Sequence, residues 1–239
     1  MTLAVVTGGG RGIGAAICRA LAADGYDVLL TYQSDAVAAE RVAADCRTTG
    51  VVAQTIRADV GEPSDVAATF VAADEMGGLT ALVNNAGIID ESARVEDMTA
   101  ERIRRMFDVN VTGLLLACGH AVRRMTDGGV IVNISSRAAQ RGGAGMYVDY
   151  AASKAAVETI TAGLAQEVAP AIRVNAVSPG LIDTGIHHDQ RDGALAERAR
   201  SVPLGRPGTP DEVAAAVRWL VSPKSSYVTG TVLRVSGGR

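Results

Sequence analysis

A phenol and an ammonium lie four residues apart in Tyr150-Ala151-Ala152-Ser153-Lys154, with only small side chains between them. On a helix, positions i and i+4 share a face, so both polar tips can reach a common point. A free tyrosine titrates near pH ~10, too high for a proton shuttle at neutrality, but a fixed cation a few ångströms away favours the phenolate and lowers that value. Such a pair can exchange a proton with a carbonyl or an alcohol. By itself the pair also fits a plainer reading, two amphipathic side chains on a wet helix face. Tyr147 competes for the role, yet the residue four beyond it is Ala151, so it has no cationic partner.

A second chemical signal opens the chain. Thr7-Gly8-Gly9-Gly10-Arg11-Gly12-Ile13-Gly14 follows an apolar run and leads into a helical pattern. Glycine permits tight turns and removes side-chain bulk, while the free N–H groups and dipole of the helix start attract phosphate oxygens. Strand, glycine turn and helix in that order make a phosphate cradle; a flexible turn is the alternative. The next apolar run ends in Thr31-Tyr32-Gln33-Ser34, where a fold selecting NAD offers an acid to the ribose hydroxyls. No acid stands there, Asp35 suits the start of the following helix, and Arg11 can pair with a 2′-phosphate. NADP(H) is therefore the preferred cofactor, with NAD(H) the alternative.

Asp59-Val60, Asn84-Asn85-Ala86-Gly87 and Asn133-Ile134-Ser135-Ser136 each follow or end an apolar run, where strand ends would face a ligand. Asparagine amides can hold nucleotide or backbone, and turn formation is the default for Asn and Gly. Asn110 interrupts a long helical stretch from Met98 to Met125 whose Phe107, Val111, Leu114, Leu115 and Cys118 suit a buried stripe. A buried asparagine needs partners, so it either distorts the helix or joins a polar network.

The elements that must position these groups are legible as alternation. Apolar runs recur at Leu3–Thr7, Val28–Tyr32, Val51–Ile56, Ala81–Val83, Val130–Ile134, Ile172–Val177 and Val228–Val235, separated by stretches with apolar spacings of three and four. Near-continuous apolar strands alternating with helices indicate an α/β, doubly wound fold with a seven-stranded parallel sheet and helices on both faces. Ligands of such a sheet bind at the carboxyl ends of its strands. Thr209-Pro210-Asp211-Glu212 has a cap, a proline at the first helical position and an acid three after the cap, so a helix starts there. Asp183 to Pro203 lacks a core pattern, and the segment 183–205 is expected to be a substrate lid. Arg137, Arg141, His187 and His188 could face a polar or anionic substrate from this side.

The chain has 239 residues, 48% of them hydrophobic, and a net charge of −3, which suits a single domain over 1–239. With 23 basic residues against 26 acids and no basic block, neither nucleic acid nor an anionic membrane is suggested as a partner. The first residues show no basic start followed by a long apolar run, so a cytoplasmic protein is expected. Cys18, Cys46 and Cys118 read as small packing residues, and no metal site is expected.

Taken together, Gly8-x-x-x-Gly12-x-Gly14, Asn84-Asn85-Ala86-Gly87, Asn110, Ser136, Tyr150-x-x-x-Lys154 and Pro179-Gly180 resemble the short-chain dehydrogenase/reductase family, over nearly the whole chain and in family order. The run from Ser135 through Tyr147-Val148-Asp149-Tyr150 is similar to a bacterial branch described as glucose-dehydrogenase-like or generic oxidoreductase. The resemblance implies a Rossmann fold and a hydride transfer between nicotinamide and the carbonyl or alcohol of a small molecule. It implies that Gly8, Arg11, Gly12, Ile13 and Gly14 hold the cofactor phosphates and ribose, with Tyr32, Gln33 and Ser34 at the adenosine end. Asp59 and Val60 would meet the adenine, Asn85, Ala86 and Gly87 the neighbouring ribose, and Ile182 and Thr184, beyond Pro179 and Gly180, the carboxamide. Ser136, with Ser135 as the alternative, would polarise the substrate oxygen, Tyr150 would be the acid/base, and Lys154 would lower its pKa and bind the nicotinamide ribose. Asn110 would seat a water linking Lys154 to solvent.

The resemblance further implies a homotetramer, to which Trp219, Leu220 and Tyr227-Val228-Thr229-Gly230 would contribute. Two rival functions share part of this pattern. A 3-oxoacyl-acyl-carrier-protein reductase would need cations for an acidic carrier, and Thr126-Asp127-Gly128 and Ala169-Pro170-Ala171 are not basic. A non-catalytic NADP(H)-sensing regulator would have no need of both Tyr150 and Lys154.

Overall fold

The structure is a computed structural model that describes residues 2–184 and 199–239. Most of the expected lid, with His187 and His188, lies outside the described residues. Seven parallel strands form one sheet in the order β3-β2-β1-β4-β5-β6-β7. They are β1 (Leu3–Val6), β2 (Asp27–Tyr32), β3 (Ala53–Arg57), β4 (Leu79–Asn84), β5 (Gly129–Ile134), β6 (Ile172–Pro179) and β7 (Val232–Val235). The expected last strand is halved because Gly230, at φ 73, turns the chain out of the ladder after its N–H reaches the Val174 carbonyl at 2.7 Å.

Strand side chains alternate between two cores. In β1, Ala4 and Val6 face one layer while Leu3 and Val5 face the other, all fully buried. The first layer is made by α1 (Gly12–Ala23), α2 (Ala36–Arg47) and the late helix Pro210–Val221, and the second mainly by α3 (Pro63–Met76), α5 (Gly113–Val122) and α7 (Val148–Glu167). Burying one such Val or Leu contributes about 1.5–3 kcal/mol, so apolar residues on both faces account for the unbroken strand runs. Cys18, Cys46 and Cys118 are buried free thiols in these helices. Pro210–Val221, called α8 here, begins with the capping box that Thr209 and Glu212 predict.

The expected helix from Met98 to Met125 is three pieces. α4 (Ala100–Phe107) passes through a π-turn at Asp108–Thr112 into α5, and a short α6 (Ala138–Arg141) follows β5. The π-turn inserts a residue and shifts the phase of the buried face. Met106, Val109, Leu114, Ala117, Cys118 and Ala121 are buried, whereas Leu115 is 46% exposed. The expected stripe of Phe107, Val111, Leu114, Leu115 and Cys118 is therefore only half correct: constant helical spacing does not hold across the turn. No described helix is long and apolar enough to cross a membrane.

Candidate active site

Chain order reverses between β1 and β4, which opens a crevice at their carboxyl ends. A cleft of about 390 Å³ lies there. Its walls include Gly8, Arg11, Gly12, Ile13 and Gly14 from the first turn, Tyr32, Gln33 and Ser34 from the end of β2, and Asp59 and Val60 beyond β3. They continue through Asn85, Ala86 and Gly87 after β4 and Ser136 after β5, then Tyr150 and Lys154 on α7, to Pro179, Gly180, Ile182 and Thr184 past β6. Every residue expected to contact a dinucleotide thus lines one cavity.

The glycine turn is braced by protein. Thr7 accepts the backbone N–H groups of Asn85 and Ala86, both at 3.0 Å, on its hydroxyl. The Asn85 amide donates to the carbonyls of Thr7 at 3.0 Å and Gly8 at 2.9 Å. Asn85 thus spends its amide on the turn rather than presenting it to a ribose. Gly8 and Gly12 have φ of 64 and 53, values that favour glycine. A Cβ on Gly14 would collide with the Gly8 carbonyl oxygen, so helix and turn approach closely only because that side chain is missing.

At the adenosine end, Asp35 caps α2 by accepting from the Ala38 N–H at 2.9 Å, as its position predicts. Arg11 is exposed at the lip, and its side chain makes no hydrogen bond or ion pair among the described residues. Asp59 is not free to meet an adenine through its carboxylate: Gln33 donates to it at 2.8 Å, Arg105 at 2.5 Å and the Gly61 N–H at 2.9 Å. Burial works to raise its pKa, and these donors outweigh that and hold it below the ordinary value. Arg105, which also lines the cleft, was not legible because it lies 46 residues from Asp59 in the sequence.

The reacting end is assembled by α7. Lys154 is 4% exposed and donates to the Ile134 carbonyl at 2.9 Å, with Nζ 5.9 Å from the centre of the Tyr150 ring. Burial lowers its pKa to about 8. Tyr150 is partly exposed as a residue, but burial of its phenol pushes the pKa up; a hydrogen bond with Ser136 pulls it down and Tyr147 pushes it further up. The expectation that Lys154 lowers the tyrosine pKa is thus not met in the protein alone. The ammonium is turned to the Ile134 carbonyl, and burial is the largest cause of the shift at both groups.

The two serines separate cleanly. Ser135 is buried, with its hydroxyl within hydrogen-bonding distance of the Lys154 carbonyl at 3.2 Å and Glu158 at 3.0 Å, whereas Ser136 accepts the Ala138 N–H at 3.1 Å and lines the cleft with Tyr150. Asn110, in the π-turn, pairs with both backbone groups of Ile88, accepting at 2.8 Å and donating at 2.9 Å, and also donates to Ser153 at 3.0 Å. It fixes the strand-end segment against α7, next to Lys154. A Cβ on Gly87 would lie 3.2 Å from both Asn110 Oδ1 and Lys154 Nζ, which shows how tightly this corner closes. Leu220, expected at a subunit contact, is buried in the core, while Trp219 and Tyr227 are exposed.

A doubly wound sheet with this turn and this serine, tyrosine and lysine defines an oxidoreductase, and the chain belongs to the short-chain dehydrogenase/reductase family. The family model described as enoyl-(acyl carrier protein) reductase matches residues 8–239. An uncharacterized oxidoreductase, YgfF, of Escherichia coli K12 is 46% identical, with all of both chains covered. The 3beta-hydroxysteroid dehydrogenase 1 of Eggerthella lenta is 40% identical over 98% of this chain and 92% of its own. A short chain dehydrogenase from Burkholderia cenocepacia, solved in complex with NADP, superposes with a TM-score of 0.92 at 41% identity, covering 99% of this chain and 97% of its own.

Proposed function

We propose that the protein is an NADP(H)-preferring oxidoreductase of small-molecule carbonyls and alcohols, with Tyr150 as general acid/base. The observation that carries it is that Ser136, Tyr150 and Lys154 line the same cleft as the braced glycine turn. The missing side chain at Gly14, the helix start behind Gly12 and the Arg11 side chain, which has no partner among the described residues, fit a dinucleotide with a 2′-phosphate. The Burkholderia relative's NADP supports the same choice.

Bound NADPH would supply a hydride to the carbonyl carbon. Ser136 donates a hydrogen bond to the substrate oxygen, and Tyr150 transfers its phenolic proton to that oxygen as charge develops there. The raised pKa of Tyr150 keeps the proton on the phenol at neutral pH, which suits reduction. Lys154 stands on the same helix face and is placed to hold a ribose hydroxyl and to favour the phenolate that remains. Asn110 keeps Lys154 and the segment after β4 in register. In alcohol oxidation the same groups act in reverse.

The test is NADPH absorbance against a panel of ketones, aldehydes, sugars and acyl thioesters, for the wild type and Tyr150→Phe. Turnover that falls by about 10²–10⁴ in the variant while NADPH still binds supports the reading. Turnover confined to 3-oxoacyl thioesters points instead to an acyl-carrier reductase, and tight NADPH binding with no turnover of any substrate points to a sensor. We also infer a cytoplasmic location and a homotetramer, the latter supported by the exposed Leu115, Trp219 and Tyr227. Light scattering reads the mass directly, and a monomer refutes it.

A further inference from the structure

We propose that Arg102 is a positioning residue for Tyr150: through Asp149 it fixes the first turn of α7, and through the Glu91 carbonyl it ties that turn to the cleft wall after β4. The proposal rests on the oxidoreductase reading for its consequence in turnover, but not for its geometry. Arg102, on α4, donates from Nε to one Asp149 oxygen at 2.7 Å and from Nη2 to the other at 3.3 Å. Its remaining amino group donates to the Glu91 carbonyl at 2.7 Å. The two side chains are 12% and 2% exposed, so this planar fork is made almost out of contact with water.

Tyr150 is only the third residue of its helix. Its backbone N–H therefore falls among the donors that a helix start leaves without an intrahelical partner. The first such bond is made by the next residue, Ala151, to the Tyr147 carbonyl at 3.0 Å. The Tyr150 N–H instead donates to Asp149 Oδ1 at 2.9 Å, the oxygen that also receives Arg102 Nη2. The turn that carries the acid is thus the least self-supporting part of α7, and its direction is set from outside by Arg102. The same arginine reaches the wall. Ile88 and Ile89 line the cleft, and further along the segment the Ala93 N–H donates to the Met146 carbonyl at 2.8 Å, just before α7.

Stability does not explain the pair. Taking both charges out of water costs about what their attraction returns, and a well-packed apolar pair commonly holds two elements equally well. What an apolar pair does not supply is a fixed angle and spacing. That difference separates a positioning role from a structural one, and the double variant Arg102→Met/Asp149→Leu exposes it.

The readout is the tyrosinate absorbance of Tyr150 with pH, taken as each protein minus its own Tyr150→Phe counterpart. The groups facing Tyr150 are Ser136 from the end of β5 and Tyr147 and Lys154 from its own helix region. In the double variant the phenol no longer keeps one seat between Ser136 and Lys154, so its midpoint moves away from the wild-type value. With a substrate from the panel, kcat falls about tenfold or more, since misplacement of the order of 1 Å costs up to about 10²-fold, and KM for NADPH stays unchanged. A midpoint that is unchanged overturns the proposal. If the double variant does not fold, Arg102→Lys, which keeps the charge and loses the fork, is read by the same criterion. If no substrate is turned over, the functional reading fails while the midpoint still decides the role of Arg102.

Discussion

Replacing Asn110 by leucine leaves the Ile88 N–H and carbonyl without the partners they have at 2.8 and 2.9 Å. Asn110 is 1% exposed, so water does not take over either bond. Each buried group left unsatisfied costs about 1–3 kcal/mol, and the gain from burying a leucine offsets roughly 1–2 of that. Ser153 loses one contact but keeps its own hydrogen bond to the Tyr150 carbonyl at 2.8 Å. The net expectation is a loss of about 3 kcal/mol, a large share of the ~5–15 kcal/mol that holds a domain together. Urea unfolding should show a midpoint lower by about 1 M with an unchanged slope. Asn110→Asp sharpens the test because it keeps the shape. The new carboxyl must carry a proton to donate to the Ile88 carbonyl, so its folded pKa lies above the unfolded ~3.9. Its stabilising contribution is complete below the unfolded value and is lost as pH rises through the folded one. The variant should therefore match the wild type best near pH 4 and fall away above it. A leucine variant within 1 kcal/mol of wild type, or an aspartate variant whose deficit is flat with pH, would refute the claim that this amide pins the segment.

Lys154→Met tests the buried ammonium. Its folded pKa of about 8 against the ordinary 10.5 means that the unfolded chain holds more protons between those values, so the wild type gains about 3 kcal/mol as pH rises across that window. The variant lacks this gain, as denaturation at pH 8 and 10 should show. Arg11→Ala should raise KM for NADPH about tenfold and leave NADH unaffected; equal effects on both would remove Arg11 from the 2′-phosphate. Gly14→Ala should abolish measurable NADPH binding by fluorescence titration, because the new methyl group meets the Gly8 carbonyl.

The seven strands and their parallel sheet were readable because apolar runs and glycine turns are local signals, whereas the order of the strands is set by long-range pairing. The lining of the cleft was readable in part for the same reason, since many of the residues expected to contact a dinucleotide lie at or just beyond strand ends. The roles inside the site were less legible. Nothing in the sequence says that the Asn85 amide serves the turn, that Asp59 is occupied by Arg105, or that Asp149 is paired 47 residues back with Arg102. These are long-range pairings of common surface residue types. Ser135 and Ser136 are adjacent and chemically identical, both line the cleft, and only the folded chain turns the Ser135 hydroxyl onto α7. The sign of the tyrosine shift was missed because a spacing of four reports proximity but not desolvation.

The threonine hydroxyl at the end of β1 has one last implication. Because Thr7 and Asn85 hold the glycine turn by bonds internal to the protein, a visiting diphosphate finds its seat already shaped and need not freeze a floppy loop to enter. Recognition is thereby divided: the frame is rigid and indifferent to which dinucleotide arrives, and the choice rests on a few exposed side chains at the lip. Such a layout lets selectivity change by one or two substitutions near Arg11 and Ser34 while the frame stays intact.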